Sequence, residues 1–232
     1  VLLIPFHNLE GIIAGFGNSS YEYDSILREK QVMYNAASIK LENLWFAEQV
    51  HGDGIAVLPF DLSANRTKES PNVFPDVDAL VTDTPGLYLA VKYADCIPIL
   101  IYDKKKKVIA GVHSGRKGTE QNIVGKTISR LNRIYLSEPS DLYVALGPSI
   151  CGEHYEVSDD IFEKFVSNTE IEQRYPTLDL RKVVKHQLMV HGVSEKRVFD
   201  YPICTFEDHN YHSYRRDKTT KRQIAIMGMC NG

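Results

Sequence analysis

The chain has 232 residues, 43% of them hydrophobic and 25% charged, with a formal net charge of −3 at pH 7. That length can bury a substantial core in one large domain. The near-balanced charge supplies no broad basic face to neutralise nucleic-acid phosphates or anionic lipid, so those partners are not expected.

Residues 12–16 read as a short strand ending at Gly17-Asn18. Asp24-Ser25 suits the start of a helix to about Leu41, with Ile26, Leu27, Met33, Ala37 and Leu41 along its apolar stripe. Strands over 44–50 and 55–58 are predicted to join through a tight reversal at His51-Gly-Asp-Gly54. The polar, proline-bounded stretch 59–75 is predicted to be a mobile loop bordering a site. Strands follow at 79–82, 87–91, 97–102 and 108–112, then a helix over 119–135 with Ile123, Ile128, Leu131 and Ile134 at helical spacing. Beyond a strand at 142–146, broken by Gly147-Pro148, come helices over 158–166 and 179–192, the latter with Asp179 and Gly192 at its ends. Strands over 198–201 and 223–229 flank a polar segment, 209–222. Helices alternate irregularly with runs of strands. That predicts a single α/β (α+β) domain over 1–232, with a mixed β-sheet and flanking helices, rather than a regular doubly wound fold.

Cys96 opens one strongly apolar run and His113 closes the next, with only Asp103 and four lysines between them. If the two runs pair as a hairpin, Cys96 and His113 meet at one sheet edge. With His51 they make two imidazoles and a thiolate, the three ligands of a catalytic zinc site with an open fourth position. Asp95, beside the cysteine, is a candidate acceptor to orient a ligating histidine or handle a proton. The glycine-flanked turn Ser114-Gly-Arg116-Lys117-Gly leads into a helix and suits an anion. Tyr214-Arg215-Arg216-Asp217 reads either as a solvated charged hairpin or as an anion clamp whose guanidinium forks match phosphate.

The four cysteines are dispersed, with no C-x-x-C pair, which argues for a reducing setting rather than a disulfide scaffold. Cys151, Cys204 and Cys230 read as structural, and His186 and His191 as surface or packing residues of a helix. The chain opens without a basic leader, and no apolar run approaches the roughly 20 residues that span a bilayer. The expectation is a soluble, cytoplasmic protein.

Eight motifs, in order along nearly the whole chain, carry a family resemblance. They are Gln49-Val-His51, Asp78-Ala-Leu-Val-Thr, Ala94-Asp95-Cys96-Ile-Pro98, His113-Ser-Gly115, Gly147-Pro148-Ser-Ile150, Tyr155-Glu-Val157, Cys204-Thr205 and Ser213-Tyr-Arg215-Arg216-Asp217. The chain resembles the laccase-domain (multicopper polyphenol oxidoreductase-like) group. Its members are also described as purine nucleoside phosphorylases with deaminase side activity, and some as peptidoglycan-editing factors. The resemblance implies a metal on His51, Cys96 and His113, and action on adenosine, inosine and methylthioadenosine with phosphate. It departs from the family at two places. His113-Ser-Gly-Arg116-Lys117-Gly stands where His-Ala-Gly-Trp-Arg-Gly is usual, and Gly17-Asn18-Ser19-Ser20 replaces a Thr-Arg-x-Gly-Gly stretch. A lysine keeps positive charge but not the two-pronged geometry of arginine.

The leading expectation is therefore a zinc-dependent purine nucleoside phosphorylase with adenosine deaminase and methylthioadenosine phosphorylase activity. Cys96, His113 and Asp95 are the catalytic candidates, and Lys117 and Arg215 the substrate-binding ones. Three alternatives stand beside it. One is a metal-free hydrolase with Cys96 as nucleophile and His113 as base. Another is a copper-dependent polyphenol oxidase, disfavoured because only eight histidines are present, with no H-x-H pair. The last is a non-catalytic nucleotide- or muropeptide-binding module.

Overall fold

Alternation of side chains along the strands builds four layers in this computed structural model, which describes residues 2–6, 8–34, 37–58 and 72–230. In chain order the first elements are β1 (Leu2–Leu3), β2 (Ile12–Gly17), α1 (Tyr23–Glu29), β3 (Gln31–Tyr34), β4 (Ala37–Lys40), β5 (Leu44–Ala47), β6 (Ile55–Leu58) and β7 (Asn72–Phe74). The central ones are β8 (Ala79–Thr82), β9 (Tyr88–Tyr93), β10 (Ile97–Asp103), β11 (Val108–Ser114), α2 (Arg116–Glu120) and α3 (Ile123–Tyr135). The last are β12 (Leu142–Leu146), α4 (Asp159–Thr169), α5 (Leu180–Val190), β13 (Val198–Asp200), α6 (Tyr214–Asp217) and β14 (Gln223–Met229).

One six-stranded mixed sheet has the order β1-β2-β14-β9-β5-β7, and a second has the order β13-β12-β10-β11-β8-β6. Ile97, Ile99 and Ile101 of β10, with Val108, Ala110 and Val112 of β11, face the helices and pack with Ile128, Leu131, Val184 and Leu188. The intervening Leu100, Tyr102 and Ile109 face the first sheet, against Leu89, Ala225 and Met227. On the far side of that sheet, Ile224 and Ile226 pack with Ile26, Tyr34 and Ile39 of α1, β3 and β4. Both faces of β10, β11 and β14 are thus buried, which is why these strands read as continuous apolar runs rather than alternating ones. The mixed α/β architecture matches the expected class.

Three local expectations are corrected. The helix foreseen to Leu41 ends at Glu29, where Lys30 takes the left-handed conformation (φ 58°) and donates its N–H to Ile26. Beyond it, Val32 and Tyr34 are buried while Gln31 and Met33 are exposed, a period of two that makes β3. Tyr34 then donates its hydroxyl to Gly15 O at 2.7 Å, tying β3 to the first sheet. Segments 44–50 and 55–58 do not form a hairpin either: β5 belongs to the first sheet and β6 to the second. The glycines of 51–54 serve a crossover between layers. The helix foreseen over 119–135 is two helices, because Asn122 turns left-handed (φ 58°) and its side chain caps α3 by accepting from Gly125 N. Of the loop foreseen at 59–75, residues 59–71 lie outside the described residues, and Asn72–Phe74 form β7.

Candidate metal centre

The antiparallel register of β10 and β11 pairs Pro98 with His113 and Ile97 with Ser114, so Cys96, one residue before β10, meets His113 at the sheet edge. His51 arrives from the crossover between β5 and β6 in a left-handed conformation (φ 62°). Its ring lies edge-on to that of His113, centroids 4.9 Å apart. One ligand atom from each of His51, Cys96 and His113 lies within 4.8 Å of the others. The expected convergence of the three residues is what the geometry shows.

A carboxylate not singled out for this role from the sequence holds them there. Asp78, just before β8, is 1% exposed and lies 2.7 Å from His113 Nδ1 through Oδ1. It also accepts the backbone N–H groups of Val50, His51 and Gly52 at 3.2, 3.0 and 2.7 Å. One buried anion thereby orients the His113 ring and anchors the loop that carries His51. Burial alone would raise its pKa; the hydrogen bond and charge of His113, with the backbone donors, hold it below the usual carboxylate value. The pointer to it in the sequence is a lone acid opening a strand, Ala79–Thr82, whose residues are all apolar or small.

The charges at the centre reinforce one another. Burial pushes the Cys96 thiol up, but the His113 charge and hydrogen bonds from His113 and His51 outweigh it and bring its pKa to about 6. Burial likewise pushes His113 down, but Cys96 and Asp78 raise it to about 9. Without a cation the site is a thiolate–imidazolium pair, and the thiolate is the form that binds metal or attacks an electrophile. The donor set fits an ion: two imidazoles and one thiolate, with one imidazole held by a carboxylate. The space fits as well. A Cβ on Gly115 would lie 2.9 Å from Cys96 Sγ and 3.1 Å from His51 Cδ2, so only the absence of a side chain keeps the cradle clear.

Above the three residues opens a cleft of about 1170 Å³ that brings together six basic side chains, Lys92, Arg116, Lys117, Arg215, Lys218 and Arg222. Among the described lining residues the acids are Asp24 and Asp95, and Tyr23, Tyr93, Tyr155 and Tyr214 supply aromatic surface. Both Lys117 and Arg215 line the cleft. Lys117 is exposed, with no ion-pair partner among the described residues, whereas Arg116 is committed to Glu120 at 3.0 Å. Arg215 is held in place: its Nη1 donates to Glu156 O at 2.7 Å and its guanidinium lies 4.9 Å from the Tyr155 ring centre.

Asp95 lines the same cleft, but its oxygens accept from Thr205 Oγ1 at 2.8 Å and Arg215 N at 2.6 Å. The histidine-orienting carboxylate is Asp78, and Asp95 instead fixes the start of α6. Arg216, considered with Arg215 as an anion clamp, spends its guanidinium on the carbonyl oxygens of Thr205, Phe206 and Tyr211. It braces the loop rather than facing the cleft. His186 is exposed on α5, and the ring of His191 packs where a Cβ on Gly125 would stand, so neither joins the site.

The chain has clear relatives among known proteins. A family model described as multi-copper polyphenol oxidoreductase laccase matches residues 17–230. The chain is 34% identical to a purine nucleoside phosphorylase of Corynebacterium glutamicum, over 78% of this chain and 72% of that protein. It is 29% identical to a purine nucleoside phosphorylase of Bacteroides thetaiotaomicron, over 89% and 82%. Among solved structures, the hypothetical protein YfiH of Bacillus licheniformis superposes with a TM-score of 0.84 at 22% identity, covering 98% of this chain and 96% of that one. YlmD of Geobacillus stearothermophilus superposes with a TM-score of 0.78 at 25% identity, covering 96% and 93%. With its sheet-edge histidines and cysteine, and with nearly its whole length matched, the chain belongs to the multi-copper polyphenol oxidoreductase laccase family.

Proposed function

We propose that the chain is a zinc-dependent purine nucleoside phosphorylase that also deaminates adenosine and cleaves methylthioadenosine. The observation that carries this reading is the convergence of His51, Cys96 and His113 beneath a cleft rich in basic and tyrosine side chains. The relatives named purine nucleoside phosphorylase support the substrate class. His51, Cys96 and His113 would hold the ion, which when bound supplies Lewis acidity at the floor of the cleft. Neither phosphorolysis nor deamination transfers electrons to an acceptor, so a redox-inert ion suits them. Copper is the alternative for the same donor set.

In phosphorolysis a phosphate oxygen bonds to C1′ of the ribose while the C1′–N9 bond breaks. The bonding pair leaves with the purine, which takes up a proton, and ribose 1-phosphate remains. Lys117 and Arg215 neutralise and orient the phosphate dianion, one as a point charge and the other as a planar fork. Tyr155 and Tyr214 offer flat surface to the base at the rim. Asp95 acts by holding the Arg215 backbone, and Asp78 by holding the His113 ring. In deamination water adds at purine C6 and the amino nitrogen leaves as ammonia. A reducing cytoplasmic setting suits Cys96, and no helix among the described residues is long and apolar enough to cross a membrane.

Metal analysis of the purified chain, joined to product assays on inosine and adenosine with and without phosphate, tests the reading. Zinc bound at His51, Cys96 and His113, phosphate-dependent release of free base and ammonia from adenosine are expected, and both activities and that one equivalent of zinc should be lost in Cys96→Ser. A folded, zinc-loaded chain that releases neither base nor ammonia overturns it. Full turnover after removal of the metal, still dependent on Cys96, would favour the cysteine hydrolase instead.

A further inference from the structure

A second group of metal-ligating side chains lies apart from His51, Cys96 and His113. Cys151, His154, Cys204 and Glu207 each offer a ligand atom within 4.8 Å of the others. They come as two short pairs of equal spacing, Cys151-Gly-Glu-His154 and Cys204-Thr-Phe-Glu207. Two loops bring the pairs together. Ser149 forms a parallel bridge with Cys204, Ser149 N donates to Ile203 O at 3.1 Å, and Thr205 N donates to Ser149 O at 3.1 Å.

The distances are those of a coordination sphere. In a tetrahedral zinc site, with Zn–S about 2.3 Å and Zn–N about 2.0–2.1 Å, sulfur and nitrogen ligands stand about 3.5 Å apart. His154 Nδ1 lies 3.1 Å from Cys151 Sγ and 3.9 Å from Cys204 Sγ, on either side of that value. Two oxygen and nitrogen ligands at about 2.0–2.1 Å stand about 3.4 Å apart, and Glu207 Oε1 lies 3.3 Å from His154 Nδ1. The same ring nitrogen thus faces both sulfurs and the carboxylate. Phe206, stacked on the imidazole at 4.6 Å and 18°, fixes the plane of the ring. Cys151 N donates to Cys204 Sγ at 3.3 Å, a backbone contact that fixes the position of that sulfur.

We propose that Cys151, His154, Cys204 and Glu207 form a second, structural metal site for a thiophilic divalent cation of the zinc class. Two thiolates, one imidazole and one carboxylate fill all four positions of a tetrahedron, so this site has no open place for substrate. Its purpose is legible in what the second loop touches. Thr205 Oγ1 donates to Asp95 Oδ1, and the carbonyls of Thr205 and Phe206 receive Arg216, while Asp95 in turn holds Arg215 at the cleft. A metal here would lock the loop behind the cleft and so keep Arg215 in position.

The test uses the full chain with Cys96→Ser, which disables the first centre. Under anaerobic, reducing conditions it is titrated with Co2+ and with Zn2+. One equivalent of cobalt is expected, with thiolate-to-cobalt charge-transfer absorption and the strong visible bands of a tetrahedral site. His154→Ala in the same background removes a ligand and should weaken binding by more than the about 10–100-fold that loss of an outer partner costs. Adding Cys204→Ser should abolish the charge-transfer band. If Cys204→Ser does not fold, Glu207→Gln, at an exposed position, should still shift the visible bands. A folded, reduced Cys96→Ser chain that takes up no cobalt overturns the proposal. So does a Cys151–Cys204 disulfide that persists under those conditions.

Discussion

Gly115→Ala isolates the space around the first centre from its ligands. Gly115 has φ −83° and ψ −179°, a conformation open to alanine, so the backbone itself does not oppose the change. The new methyl would stand 2.9 Å from Cys96 Sγ, where ordinary contacts between carbon-sized atoms sit at about 3.5–4.0 Å. The sulfur must therefore retreat by about 0.6–1.1 Å, several times the ~0.2 Å within which metal–ligand distances are held. Zinc affinity is expected to fall by about 10–100-fold, or about 1.4–2.8 kcal/mol. The metal-free fold should survive. Overpacking costs about 1–3 kcal/mol, against a gain of about 0.4–1 kcal/mol from a stiffer unfolded chain. At about 2–4 °C per kcal/mol for a chain of this size, Tm drops by about 10 °C at most. Competition against a chromophoric chelator gives the affinity, and melts of the chelator-stripped proteins give the stability. Gly115→Ala that binds zinc as tightly as the parent would refute the assignment of the cradle.

The metal-stripped protein should react with iodoacetamide at Cys96 at a rate that rises through pH of about 6 and then levels, rather than near the ordinary thiol value of 9.0. A midpoint near 9 for Cys96 in folded protein would remove the thiolate–imidazolium pair. The same pair stabilises the metal-free fold between its two pKa values. Its two halves are linked to pH in opposite senses: the lowered Cys96 pKa contributes stability that is lost as pH falls from 9.0 to about 6, and the raised His113 pKa contributes stability that is lost as pH rises from 6.5 to about 9, so the two offset and Tm of the metal-free protein should stay nearly level between those limits. A Tm that changes steeply within that window counts against the pair. Asp78→Asn takes the charged acceptor from His113 and three backbone amides; a stability loss of about 1.5–3 kcal/mol and an upward move of the Cys96 midpoint are expected. Chemical denaturation and alkylation read the two effects, and an unchanged midpoint shows that His113 does not depend on this carboxylate. Lys117→Arg should lower KM for phosphate and Lys117→Ala raise it, with zinc content unchanged. Equal phosphate KM in all three would mean that Lys117 only solvates the helix start.

The sequence by itself determined the hairpin that makes the centre. Two apolar runs separated by Asp103 and four lysines read as a hairpin that brings Cys96 near His113, and the structure fixes its register with Pro98 opposite His113. The sequence also determined the mixed α/β class and the helix cap at Asp179, whereas Asn122, inside the single helix expected over 119–135, is the cap of α3. Short-range pattern misled where two periodicities shared the same residues. Ile26, Met33, Ala37 and Leu41 fit a helical stripe, yet the burial of Val32, Tyr34 and Ile39 against the first sheet chose strands. Tertiary structure alone decided which carboxylate serves which partner. Asp78 and His113 are 35 residues apart, and they meet because β8 lies beside β11, with Val112 opposite Ala79. Asp95, adjacent to Cys96 in sequence, turns to Thr205 and Arg215 because its left-handed backbone (φ 87°) directs it there. The second cysteine group was equally hidden. Its halves lie 50 residues apart, from His154 to Cys204, and the pairing of Ser149 with Cys204 brings the sulfurs to one imidazole. A hydrogen bond or a metal ligand depends on distances in space of a few ångströms, and sequence spacing reports those only within a single element or turn.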